Sequence, residues 1–210
     1  DEKQKTWIDL DDQGGRITFL KNGKNFILES DATGWNHLYL HDMTGTRISA
    51  ITSGNYTVTG VNYIDEKNQT VYFTCRKDNS ARYDLYKVKF NGTALQRLTF
   101  GEFTNRGIQL SPNASYFITT YSNVSSPEVM ALVNNKGKLI KELGNAIGED
   151  YATTTIAKTE LLRVKSEDGK YELPLRIVWP ANFDKNKKYP VMISIYGGPN
   201  AGTVYDGWQL

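Results

Sequence analysis

The sequence predicts a mainly β fold, a partial β-propeller of about three four-stranded blades followed by the opening strands of an α/β domain. Three observations predict it. Short segments rich in Val, Ile, Tyr, Phe and Thr recur between Gly and Asn turns, and none carries a helical apolar stripe. The turn glycines Gly45, Gly92 and Gly137 return at steps of 47 and 45 residues. Near residue 155 the repeat gives way to a hairpin pattern and then to an almost continuous apolar run.

The first copy begins at Arg16-Ile17-Thr18-Phe19-Leu20. It continues through Phe26-Ile27-Leu28-Glu29-Ser30-Asp31 and His37-Leu38-Tyr39-Leu40, turns at Met43-Thr44-Gly45 and closes with Ile48-Ser49-Ala50-Ile51-Thr52. The second opens at Val58–Tyr63. It runs through Val71-Tyr72-Phe73-Thr74 and Asp84-Leu85-Tyr86-Lys87-Val88, turns at Asn91-Gly92 and ends with Leu95–Thr99. The third opens at Gly107–Leu110, passes the turn Ser111–Ser115, then Tyr116–Thr119 and Glu128–Leu132. It turns at Lys136-Gly137 and ends with Ile140–Leu143. A period in the mid-forties made of short strands is the signature of propeller blades. A β-sandwich is the competing description; the agreement of three turn-and-strand registers favours blades. Three blades cannot close a ring, so the sequence reads as an internal portion of a longer polypeptide.

The division falls at 1–155 and 156–210. In the second part Glu160–Lys165 alternates, Ser166-Glu167-Asp168-Gly169-Lys170 reads as a hairpin turn, and Leu173–Pro180 returns. After the polar loop Asn182–Lys188, the run Tyr189–Tyr196 suits a strand buried on both faces. It leads into Gly197-Gly198-Pro199-Asn200, where glycines permit a sharp turn and close approach to a ligand. A hairpin, a buried strand and a Gly-rich turn in that order are how an α/β-hydrolase domain opens, and the loop after such a strand helps form an oxyanion hole.

Composition narrows the function. Twenty-five basic and 23 acidic side chains give a net charge of +2, which argues for neither a nucleic-acid nor a membrane-surface partner. No apolar stretch in this segment reaches the roughly 18 residues needed to span a bilayer. The single cysteine, Cys75, excludes an internal disulfide framework and a multi-cysteine zinc site. His37 and His41 are four apart, a metal-ligand spacing only on a helix, but the alternation between them reads as a strand, so they read as surface or rim histidines and no metal site is expected. No Gly-x-Ser-x-Gly occurs and no histidine follows His41. The chain therefore lacks both a nucleophile elbow and the base that acyl transfer requires. Five Asn-x-Ser/Thr triplets, at Asn55, Asn68, Asn91, Asn113 and Asn123, barely exceed what the composition gives by chance.

Three stretches carry a resemblance: Ser30-Asp31-Ala32-Thr33-Gly34-Trp35-Asn36-His37-Leu38-Tyr39-Leu40, Asn182-Phe183-Asp184-Lys185-Asn186-Lys187-Lys188-Tyr189-Pro190-Val191, and Tyr196-Gly197-Gly198-Pro199. Over essentially its whole length the sequence resembles the dipeptidyl peptidase IV group of the prolyl oligopeptidase family of serine peptidases. The resemblance implies a propeller capping a hydrolase domain, release of N-terminal Xaa-Pro or Xaa-Ala dipeptides from peptide substrates, and no cofactor. It places the Ser/Asp/His triad beyond Leu210, and the glutamates that hold the substrate amine upstream of residue 1. It also implies a possible homodimer of the full-length enzyme. An acylaminoacyl or oligopeptidase specificity, or a non-catalytic propeller serving as a binding module, stays open.

One residue carries over by position. Strand context alone favours a tyrosine closing a buried strand and bonded to nearby backbone; with the motif and the resemblance, Tyr196 falls where the family has its oxyanion-hole hydroxyl. Trp35 and Asn36 read as turn-shaping residues, and Asp65, Glu66 and Lys67 as a solvated turn. Arg16 receives no role, and Tyr205 and Trp208 are candidates for packing near the channel mouth. A lone cysteine suits an exported bacterial relative more than the disulfide-bonded animal enzymes, which gives an expectation of periplasmic, cell-surface or secreted location.

Overall fold

Alternation of side chains along each strand governs how the sheets stack, and blade 2 shows it most fully. The computed structural model describes residues 16–197 and 202–209. Blade 2 is the meander β5 (Val58–Asp65), β6 (Thr70–Cys75), β7 (Asp84–Lys89) and β8 (Gln96–Arg97), with neighbours antiparallel and in sequence order. Val71, Phe73 and Cys75 of β6 and Tyr86 and Val88 of β7 point one way. They join Ile27, Leu38, Leu40 and Ile51 of the preceding blade in one core. Tyr72 and Leu85, on the opposite parity, join Phe117, Tyr121, Ala131 and Val133 of the following blade in another. Both faces of the central blade are thus buried, each large side chain contributing about 1.5–3 kcal/mol.

Blade 1 is β1 (Ile17–Phe19), β2 (Asn25–Ser30), β3 (His37–Asp42) and β4 (Arg47–Ala50). Blade 3 is β9 (Thr104–Leu110), β10 (Tyr116–Asn123), β11 (Ser126–Asn134) and β12 (Leu139–Asn145). Both are four-stranded antiparallel meanders. The three-blade expectation and its strand order hold. The last strand of the second repeat is shorter than its sequence suggests. There Arg97 turns its side chain back to the buried Asp84 of β7, at 2.8 Å, and Thr99 donates to the same carboxylate at 2.6 Å. Burial nevertheless outweighs these bonds and leaves the Asp84 pKa raised.

The repeating glycine has a structural cause. In each blade the turn before the last strand closes with the same backbone bond: Gly45 N to Asp42 O, Gly92 N to Lys89 O, and Gly137 N to Asn134 O, at 2.8–3.0 Å. All three glycines have φ between 79° and 88°, a region costly for residues with a Cβ. A Cβ on Gly92 would lie 2.8 Å from Ala50 O, and one on Gly137 2.8 Å from Leu98 O. Each later blade therefore rests this turn against the backbone of the blade before it. Ser49 Oγ donating to Phe90 O at 2.6 Å and Lys87 Nζ donating to Asn135 O at 2.9 Å stitch the same two seams.

Beyond a short 3₁₀ turn, Glu149–Ala152, a separate two-stranded sheet pairs β13 (Thr159–Lys165) with β14 (Glu172–Val178). It turns at Ser166–Gly169, as expected. The buried strand expected at Tyr189–Tyr196 is not formed. No described strand pairs with it, and Val191 and Met192 are 83% and 94% exposed. An apolar run becomes a buried strand only when neighbouring strands satisfy its amides and cover both faces, and none of the described strands does so here.

Candidate functional site

Two features converge where blades 2 and 3 meet the C-terminal residues. The first is the docking of residues 202–209. Asp206 is buried, and its Oδ2 accepts from Arg82 Nε at 2.6 Å while Oδ1 accepts from Val124 N at 2.9 Å. Its own amide donates to Ala81 O at 2.8 Å. Trp208 N donates to Ser122 Oγ at 3.3 Å, and the Trp208 ring lies 6.2 Å from that of Tyr151. Burial opposes the Arg82 charge, but the Asp206 and Glu102 carboxylates more than offset it and hold its pKa above the ordinary value. A buried carboxylate with charge-assisted bonds on both oxygens is a firm anchor, and it ties residue 206 to residues 124 positions earlier.

The second feature is a cavity of about 500 Å³ between β5 and β9, lined by Gly60, Val61, Asn62, Tyr83, Asn105 and Arg106, among others. These are the opening strands of their meanders, which in a blade face the central channel. Arg106 stands over the Tyr205 ring, 4.4 Å from its centroid. Tyr83 carries Arg76 stacked on its ring at 4.4 Å, and Arg76 also donates to the Tyr83 hydroxyl.

Tyr196, the expected oxyanion residue, is 67% exposed, and among the described residues its hydroxyl makes no hydrogen bond. Gly198 and Pro199 of its motif lie outside the described residues. Tyr205 and Trp208 pack on blade 3 and near the 3₁₀ turn. Trp35 is exposed, while Asn36 donates to Val58 O at 2.9 Å and so ties the blade 1 turn to β5. Glu66 accepts from Lys21 N at 2.8 Å, which joins its turn to blade 1. Arg16 pairs with Asp31 at 3.7 Å.

The histidines need a correction. His41 is partly exposed, but His37 is 2% exposed and not a rim residue. The linker after β4 folds over it. His37 Nε2 lies 2.9 Å from Gly54 O and must donate to it, because a carbonyl only accepts. Nδ1 then accepts from Thr52 Oγ1 at 3.0 Å, and Thr52 Oγ1 in turn accepts from Leu38 N at 2.9 Å. The ring is a fully bonded core element. Cys75 is buried as well, and burial pushes its thiol up to about 12, which makes it a poor nucleophile. Among the described residues no three His, Cys, Asp or Glu side chains cluster as metal ligands, and no helix is long and apolar enough to cross a membrane.

Asp206, Arg82 and Arg106 escape a reading of the sequence. The only trace is the placing of Tyr205 and Trp208 on either side of Asp206-Gly207, aromatic residues where a loop would ordinarily be polar.

Comparison with known proteins decides the family. A family model described as the dipeptidyl peptidase IV N-terminal region matches residues 1–128, more than half of the chain. The chain belongs to the dipeptidyl peptidase IV family. The Dipeptidyl peptidase 4 of Arthroderma otae is 31% identical over 193 residues, which cover 90% of this chain and 25% of that protein. The crystal structure of Porphyromonas gingivalis dipeptidyl peptidase 4 superposes with a TM-score of 0.80 at 29% identity, covering 93% of this chain and 28% of that one. A solved Bacteroides ovatus structure gives a TM-score of 0.75 at 29% identity, with 92% and 30% covered. The chain thus spans about a quarter of the length of the curated dipeptidyl peptidase relatives it matches.

Proposed function

We propose that this chain is the middle portion of a serine exopeptidase that releases N-terminal Xaa-Pro or Xaa-Ala dipeptides. Residues 1–155 are blades that gate peptide access. Residues 156–210 open the hydrolase half, with the triad beyond Leu210, and the 210 residues alone are inactive. Tyr196 supplies the oxyanion-hole hydroxyl. The observation that carries this reading is the sequence Tyr196-Gly197-Gly198-Pro199 following three dipeptidyl-peptidase-like blades. In this reading negative charge developing on the scissile carbonyl oxygen draws a hydrogen bond from the phenol that strengthens toward the transition state. The protein then works in the periplasm, at the cell surface or outside the cell, as a homodimer.

The test is Tyr196→Phe in the full-length protein, assayed on an Xaa-Pro anilide. Turnover is expected to fall about 10²–10³-fold with little change in KM. A loss of threefold or less removes the assignment. The absence of a Gly-x-Ser-x-Gly within these residues keeps one rival, a propeller used only for binding. A reading frame with no such motif, Asp and His after Leu210 would favour that rival.

A further inference from the structure

We propose that the groove between β5 and β9 is a subsite for the carboxylate of a short peptide, with Arg106 as the group that recognises the anion. The proposal rests on the peptidase reading above and names where the far end of the substrate lies.

The groove has the form of a docking surface for extended chain. β5 and β9 are both interrupted by bulges alongside it. The pairing of β5 with β6 slips between Val58 and Gly60 and again between Val61 and Tyr63. The pairing of β9 with β10 slips opposite Ile118–Thr120, where Gly107 takes φ 59°. A bulge releases backbone amides and carbonyls from the ladder, and glycine within a strand admits another backbone at close range. No atom lies within 4 Å of a Cβ built on Gly60 or on Gly107, so the space above both is open.

The polar groups around the groove are donors. Arg106 is exposed, and among the described residues its guanidinium is engaged by no carboxylate; its one partner is the Tyr205 ring beneath it. Stacking fixes the guanidinium plane while leaving its N–H edges free, the arrangement that suits a carboxylate approached edge-on. Arg82 and Arg97, by contrast, are consumed by buried aspartates. Across the groove, Asn62 accepts from Thr74 Oγ1 at 2.7 Å through Oδ1, which leaves its NH₂ as a free donor. The only acidic group close by in sequence to Tyr205, Asp206, is already bonded to Arg82 and Val124 N. A cavity of about 500 Å³ accommodates two or three residues of a peptide, not a folded partner.

The experiment compares an Xaa-Pro tetrapeptide with a free C-terminal acid, the same peptide as its amide, and an amide carrying a terminal Glu, on the full-length protein and its Arg106→Gln and Arg106→Lys variants. The wild type is expected to favour the free acid over the amide about fivefold in kcat/KM, through KM. Arg106→Gln should bring that ratio close to one, and Arg106→Lys should retain part of it. A Glu amide that behaves as the free acid identifies the group as any carboxylate; one that behaves as the plain amide identifies the chain terminus. A wild-type ratio of one, or a ratio that Arg106→Gln leaves unchanged, overturns the proposal. Calorimetric binding of a non-hydrolysable acid and amide pair reads the groove without turnover. Failure of the peptidase reading (no Xaa-Pro anilide hydrolysis) is thereby distinguishable from failure of the groove (no acid preference in binding).

Discussion

Replacing Gly92 with alanine should cost more stability than the same change at Gly45, although the two glycines occupy the same turn of successive blades. Both have positive φ, 79° and 88°, so each alanine incurs the left-handed backbone penalty of about 1–2 kcal/mol. The unfolded-chain entropy gained by a Gly→Ala change is common to both and cancels. The difference lies in what the methyl meets. At Gly45 nothing lies within 4 Å, whereas at Gly92 the new Cβ stands 2.8 Å from Ala50 O. Because that atom is backbone of blade 1, the turn must back away. Doing so stretches the Ser49 Oγ to Phe90 O bond in the same seam, worth about 1 kcal/mol. Gly92→Ala is therefore expected to lose about 2–3 kcal/mol and Gly45→Ala about 1–2 kcal/mol. At about 2–4 °C per kcal/mol for a chain of this size, thermal unfolding followed by circular dichroism separates them. Gly137→Ala, whose methyl would meet Leu98 O at 2.8 Å, should track Gly92→Ala. Equal losses at Gly45 and Gly92 would refute the seam argument and leave only the backbone conformation.

Three further outcomes are open to test. Asp206→Ala, by stranding Arg82 and Val124 N, should lower stability by about 3 kcal/mol and abolish amide-exchange protection at residues 206 and 208; unchanged protection would show that the segment is held elsewhere. His37→Ala should cost about 2 kcal/mol in thermal unfolding, by leaving Gly54 O without its donor and the Thr52 hydroxyl without its acceptor. Cys75 should resist thiol reagents at pH 8 until the protein unfolds, since a thiol held at about 12 is about 10⁻⁴ thiolate there. The folded value lies above the unfolded one. Any stability it lends is therefore complete below the ordinary thiol range and is lost as pH climbs toward about 12; rapid labelling of the native state at pH 8 contradicts this.

The blades were legible because their turns demand glycine twice over, for φ and for contact with the preceding blade, and such positions leave a period in the sequence. Core faces were legible where alternation is strict, as at Val71, Phe73 and Cys75. His37 was not, because the residues that enclose it follow the next strand, at Thr52 to Tyr56, and local pattern carries no sign of such a fold-over. The Asp206–Arg82 anchor joins residues 124 apart and depends on shape alone. Tyr189–Tyr196 shows the opposite limit: pattern reports what a segment is fit to bury, and says nothing about whether its neighbours are at hand.

That uncovered run has a bearing on synthesis. Val191-Met192-Ile193-Ser194-Ile195-Tyr196 carries no charge and no proline, and no strand among the described residues pairs with it, which makes it the kind of hexapeptide that stacks with its own copies. Once it has left the ribosome and while nothing covers it, this run is an adhesive ribbon. That uncovered interval is the moment at which a holdase chaperone would matter most, and at which crowded polysomes risk joining their nascent chains edge to edge.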